Sequence, residues 1–234
     1  MTAPVQLVAL SGGVGVPSST RMLTDQLTAA TRAALEADGR TVEVFTVDLR
    51  DLAHQVVDMT LTRFPAPELA EVLDRLRAAA GVIAVTPTFN ASYSGLFKSF
   101  FDVLDEGTLD GTPMLLGATG GTARHSLAVD YAMRPMMAYL RADVVATSVF
   151  AASEDFGAAT TAPDEVPLAN RARRAGRELA DRILGAPARP ADTAPTAEAD
   201  APQEPVADEA TPSGRRPLAE EFTRFTPMEQ LLGR

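Results

Sequence analysis

The chain has 234 residues, 46% hydrophobic and 22% charged, enough for one globular domain with an ordinary core. Its net charge of −10 and pI near 4.7, with no basic cluster to offset them, argue against a nucleic-acid-binding face and against attraction to an anionic membrane. The absence of cysteine excludes disulfides, thiolate metal sites and thiol catalysis; no apolar run is long enough to span a bilayer and the start carries no signal-peptide pattern, so a cytoplasmic location is expected.

Residues 5–10 form a short apolar run that reads as a buried strand. The segment after it, Ser11-Gly12-Gly13-Val14-Gly15-Val16-Pro17-Ser18-Ser19-Thr20-Arg21, opens a helix patterned on Met22, Leu23, Leu27, Ala30, Ala34 and Leu35. A glycine- and hydroxyl-rich loop entering a helix is an anion site, because free N–H groups and the positive dipole end face the ligand. The Gly-Lys-Ser/Thr ending of a P-loop is missing, and so is a clean G-x-G-x-x-G. Ser18, Ser19 and Thr20 followed by Arg21 suit a monophosphate, while Ser18 and Ser19 equally suit an N-cap. Residues 42–47 alternate like a half-buried strand near a sheet edge. Residues 48–67 read as a long connection holding a solvated His54, and residues 68–80 carry the i, i+3, i+4, i+7 pattern of an amphipathic helix.

The β-branched run at 82–85 reads as a central strand, and the apolar spacing after Gly95 predicts a helix over residues 96–104. Between them lies Thr86-Pro87-Thr88-Phe89-Asn90-Ala91-Ser92-Tyr93-Ser94-Gly95, a loop at the carboxyl end of a strand, where open α/β sheets bind ligands. Asn90, Ser92 and Ser94 offer short polar groups there, and Phe89 with Tyr93 suggests a wall for a flat ligand. A fourth strand at 114–118 empties into Thr119-Gly120-Gly121-Thr122, whose paired glycines would let consecutive amides face one acceptor. Residues 124–141 read as one helix, apolar around most of its girth, which predicts cover by the sheet on one side and a second subunit on the other. A fifth strand is expected at 144–150 and a closing helix at 167–184. Residues 186–217 then read as a disordered linker, holding seven of the 17 prolines among Ala, Asp, Glu and Thr. Residues 218–234 recover apolar spacing as a short amphipathic segment.

Five strands alternating with helices give a doubly wound, flavodoxin-like parallel sheet of order 2-1-3-4-5, which gathers the first, third and fourth strand-end loops at the switch point. Residues 1–185 would be that domain. The run Thr-Pro-x-aromatic-Asn-x-Ser-x-x-Gly-x-x-Lys ending at Lys98, the block 119–125 and Ala128-Val129-Asp130-Tyr131-Ala132-Met133-Arg134-Pro135 together resemble the NAD(P)H-dependent FMN reductases. The last block is most similar to reductases that feed reduced FMN to two-component monooxygenases. The resemblance implies hydride transfer from NAD(P)H to FMN, with a flavin-dependent monooxygenase as a possible partner and a homodimer or homotetramer as the assembly. It implies FMN phosphate at Ser11, Ser18, Ser19, Thr20 and Arg21. The flavin ring would then meet Pro87, Thr88, Phe89, Asn90 and Ser92 on one side and Thr119, Gly120 and Gly121 on the other, with His125 nearby. Arg21 would replace an arginine that the family often carries near Val14 or Gly15. No protein acid, base or metal is expected in such a site. A quinone or azo reductase with bound FMN, and a non-enzymatic flavin electron carrier, remain alternatives.

Overall fold

The computed structural model describes residues 3–156 and 167–186. The expected linker and amphipathic segment, residues 186–217 and 218–234, lie outside the described residues apart from Ala186.

In chain order the elements are β1 (Val5–Ser11), α1 (Ser19–Ala37), β2 (Val42–Asp48), a 3₁₀ turn (Leu49–Leu52), α2 (Ala53–Thr62), α3 (Pro67–Arg77) and β3 (Gly81–Phe89). Then follow β4 (Ser92–Tyr93), α4 (Gly95–Asp102), β5 (Pro113–Gly120), a 3₁₀ turn (Ala123–His125), a π-helical turn (Val129–Met133), α5 (Arg134–Tyr139), β6 (Asp143–Val144), β7 (Val149–Ala152) and α6 (Leu168–Gly185). The parallel sheet runs β2-β1-β3-β5-β6, with β7 also parallel to β5 and β4 antiparallel to β3. With the two-residue β4 set aside and β6 and β7 taken as one interrupted strand, this is the expected doubly wound order.

Side chains alternate across the strands and so build two cores. Val8, Leu10, Val82, Ala84, Met114 and Leu116 pack with α2 to α5, while Leu7, Ala9, Ile83, Val85 and Leu115 pack with α1 and α6. Burying one such side chain contributes about 1.5–3 kcal/mol. On the second face α1 and α6 touch backbone to side: a Cβ on Gly176 would sit 2.7 Å from the Thr31 amide nitrogen, so no larger residue fits that crossing.

In its elements the structure differs from the sequence reading in four places. The connection at 48–67 is mostly helical, because Leu49, Leu52, Val56 and Met59 turn inward and are buried. The strand expected at 82–85 continues through Thr86, Pro87 and Thr88 to Phe89, since β4 folds back on it. The single helix expected at 124–141 is broken into three pieces. Pro135 has no N–H to give to the carbonyl of Tyr131, and the wider turn stands just before it. Met133 and Met137 from this stretch are buried within the chain's own core, which leaves Leu127, Tyr131 and Tyr139 as its large exposed apolar residues.

The fourth difference is the last strand, which breaks between Val144 and Val149. Arg134 reaches across to the break, donating to the Val145 carbonyl at 3.0 Å, the Ala146 carbonyl at 2.7 Å and Ser148 Oγ at 2.6 Å. From the other side Glu178 accepts from the Thr147 amide at 2.8 Å and its hydroxyl at 2.6 Å. Burial pushes the Glu178 carboxyl up, but these bonds from Thr147, aided by Arg174, outweigh it and hold the pKa below the usual range.

Candidate functional site

The first loop is built on the end of β1. Gly12 donates to the Val85 carbonyl at 2.7 Å, and a Cβ there would lie 3.1 Å from that oxygen and 3.2 Å from Phe97, so glycine allows the loop to lie flat on β3. Ser18 is the N-cap of α1, its side chain accepting the Arg21 amide at 3.1 Å. The amides of Gly13, Val14, Gly15, Val16, Ser18, Ser19 and Thr20 have no hydrogen-bond partner among the described residues. At the end of β1 the Ser11 hydroxyl is fully buried and also without a partner among the described residues. Unpaired donors at the start of a 19-residue helix are the kind of group that binds anions.

Two residues expected in the phosphate site are engaged elsewhere. Arg21 binds Asp25 at 2.8 Å and Asp48 at 2.5 Å. The hydrogen bond to Asp25 raises its pKa above the ordinary arginine value; burial opposes the rise and the charge of Asp48 adds to it. Buried Thr20 shares a 2.8 Å hydrogen bond with Thr119 Oγ1, so its hydroxyl ties the first loop to the end of β5.

The second loop is a two-residue hairpin. Thr88 pairs with Tyr93 and Phe89 with Ser92, and the connecting Asn90 and Ala91 both have positive φ, at 50° and 64°. That is the primed turn that matches strand twist, and asparagine tolerates it well. Buried Thr86 fastens its base, accepting from the Ser94 amide and donating to the Pro87 carbonyl, each at 3.0 Å. Ser94 caps α4 by accepting the Phe97 amide at 3.2 Å. Tyr93 leans on Phe97, with ring centroids 6.1 Å apart, and Phe97 on Phe101 at 4.8 Å. Phe89 is left half exposed at the hairpin's edge, and the Thr88 hydroxyl is buried without a partner.

The third wall is the end of β5. Pro87 stands opposite Thr119 in register, which sets the β3 and β5 loops side by side. Gly120 is still a strand residue, covered by Phe150, and neither Gly120 nor Gly121 takes a positive φ, so the expected paired-amide nest is not formed. Beyond Gly120 the chain is bare: residues 121–127 are all exposed. His125 ends a 3₁₀ turn there instead of beginning a helix, and His54 is exposed on α2, not in a loop. Sequence reasoning passed over Arg124, the cation next to His125; the signal available was its place four residues past the strand-end glycine. It also passed over Thr86, whose role depends on a partner eight residues on.

A doubly wound sheet with a glycine-rich loop opening a helix after its first strand and a hairpin after its third, side by side with the end of β5, has the architecture in which α/β proteins bind ligands. The family model for NADPH-dependent FMN reductase matches residues 5–157, and the chain belongs to that family. Similar relatives include an FMN reductase (NADPH) of Pseudomonas aeruginosa, 40% identical over 157 residues that cover 67% of this chain and 81% of the relative. Another is the NADH-dependent FMN reductase SfnF of Pseudomonas fluorescens, 36% identical with the same shares covered. Among solved structures, an oxidoreductase from Corynebacterium diphtheriae is 42% identical with a TM-score of 0.75, covering 80% of this chain and all of its own. The apo form of the NADH:FMN oxidoreductase EMOB is 28% identical with a TM-score of 0.64, covering 79% of this chain and 91% of its own. Among the described residues no helix is long and apolar enough to cross a membrane.

Proposed function

We propose that this chain is an NAD(P)H:FMN oxidoreductase. Its FMN phosphate would lie at the first loop, and its flavin ring between the β3–β4 hairpin and the end of β5. The observation that carries the reading is a row of unpaired amides at the start of α1, together with the orphaned Ser11 hydroxyl at the end of β1. A phosphate dianion is the kind of group that such donors fit. Ser11 and the amides of Gly13, Val14, Gly15, Val16, Ser18, Ser19 and Thr20 would hold it, while Arg21, paired with Asp25 and Asp48, would offset the negative charge of those carboxylates beside the helix terminus. Bound there, FMN would supply the hydride acceptor.

The chain's own residues act by position and exclusion. Thr86 and Ser94 hold the hairpin in one shape, so Pro87, Thr88, Phe89, Asn90 and Ser92 offer a fixed wall. The Thr20–Thr119 bond keeps the phosphate loop and the opposite wall at constant spacing. Buried Thr119 and a Gly120 covered by Phe150 would form the other edge, and Gly121, with open space where a Cβ would stand, would let a nicotinamide nucleotide approach near His125. Hydride transfer needs no acid or base from the protein, only alignment of donor and acceptor.

The test compares FMN with riboflavin. Ser11→Ala removes an unsatisfied buried hydroxyl, so stability should hold or rise. FMN affinity should fall by about tenfold or more while riboflavin affinity changes little, as expected for one lost hydrogen bond to a charged group. Equal losses for both ligands would remove the phosphate assignment.

The reading extends to delivery of reduced FMN to a flavin-dependent monooxygenase, supported by the resemblance of the block 128–135. It also extends to a homo-oligomer, supported by exposed Leu127, Tyr131 and Tyr139 and by an apolar groove of about 320 Å³ between α4 and α5. Light scattering of the purified chain should show more than one copy; a monomer would end the second extension. Faster oxygenase turnover with the reductase present than with prereduced FMN alone would support the first.

A further inference from the structure

Resting on the reductase reading, we infer that Arg124 makes the site select the 2′-phosphorylated nicotinamide nucleotide, NADPH over NADH. The relatives do not fix this choice, since one is an FMN reductase (NADPH) and another an NADH-dependent one. A 2′-phosphate adds about −1.5 to −2 charge near neutral pH. A chain of net charge −10 repels that group unless a cation stands where it lands.

The arginines at the ends of the other strands are already committed. Arg21, after β1, holds Asp25 and Asp48; Arg50, after β2, holds Asp51; Arg171 pairs with Asp155 just past β7. Arg124, after β5, has no ion pair or hydrogen bond among the described residues. It lies in the middle of the exposed stretch 121–127, four residues past the end of β5, and Thr122 before it is extended, with φ −145° and ψ 156°. Among the described residues, no atom lies within 4 Å of where a Cβ on Gly121 would stand. A guanidinium free of carboxylates offers forked donors that match phosphate oxygens, and a neighbouring exposed His125 adds a further donor. Arg40, Arg63 and Arg173 also lack ion pairs, but Arg40 lies between α1 and β2 at the opposite sheet edge, Arg63 caps the end of α2, and Arg173 is held by Asn170 on α6.

Calorimetric titration of the full chain with 2′,5′-ADP and with 5′-ADP tests the assignment without turnover. The wild type should bind 2′,5′-ADP about tenfold to a hundredfold more tightly, the range of one charge-assisted contact. Arg124→Ala should erase that difference and Arg124→Lys should keep part of it. In the turnover assay the KM for NADPH should rise by the same factor in Arg124→Ala, with the KM for NADH and both kcat values unchanged. No preference in the wild type, or a preference that survives Arg124→Ala, would overturn the assignment. FMN binding, followed by flavin fluorescence, reports on the reductase reading separately. Wild-type protein that binds no FMN would overturn that reading, whereas normal FMN binding without nucleotide discrimination would overturn only the role of Arg124.

Discussion

The loops that end β3 and β5 stand side by side, yet they are made in opposite ways. The β3 loop is braced at every step: Thr86 bonds both of its limbs, Ser94 caps the helix behind it, and Phe97 and Tyr93 fill the space beneath. The β5 loop is tied at one point, Thr119 to Thr20, and then runs exposed for seven residues. One loop is therefore braced and the other is not. On the proposed reading, a site that would hold one flat molecule while a second comes and goes would be served by that inequality.

Substitutions can break or sharpen the contrast. The largest effect is expected from Phe97→Ala, because the ring is fully buried and touches the first loop, the hairpin and Phe101 together. Loss of stability should be about 3–5 kcal/mol in urea denaturation. His125→Ala, on the bare wall, should stay within about 0.5 kcal/mol of wild type. Similar values for the two would show that the walls do not differ in bracing. A smaller contrast lies within one pair of neighbours. A Cβ on Gly120 would lie 2.8 Å from Phe150, so Gly120→Ala should cost about 1–3 kcal/mol. Gly121→Ala meets no atom within 4 Å and should be nearly neutral in the same melts. The smallest effect should have the opposite sign. Ala91 holds a left-handed φ of 64°, so Ala91→Gly should raise the denaturation midpoint by about 0.5–1 kcal/mol equivalent. No gain would mean that the hairpin relaxes its turn without help from glycine.

Much of this architecture was legible because buried parallel strands announce themselves. The apolar runs at 5–10, 82–85 and 114–118 are continuous, and each is observed as a strand inside the sheet. The hairpin was not legible, since Asn90-Ala91 lacks the glycine that usually marks a primed turn and the tertiary fit at Thr86 supplies the stability instead. Helix α2 was hidden for another reason: Val57 and Leu61 are exposed, so its apolar residues show no clean stripe. In the site, the hydroxyls of Ser11, Ser18 and Thr20 could be placed near one another from their position after the first strand. What could not be read was their allegiance. Thr20 bonds a residue 99 positions away, and Arg21 meets Asp48 from the next strand, so both outcomes belong to packing and not to local pattern.

The interrupted last strand has a consequence for the protein in a crowded cell. A sheet's outermost strand exposes a row of unpaired amides and carbonyls, a template on which another chain can lengthen the sheet. Here the carbonyls of Val145 and Ala146 are occupied by Arg134 and the amide of Thr147 by Glu178, so the template is spoiled at its middle by side chains of the same molecule. Strand-by-strand growth from this border would first have to displace two charged groups. At this border, unlike the opposite one at β2, side chains of the same molecule stand where another chain would add.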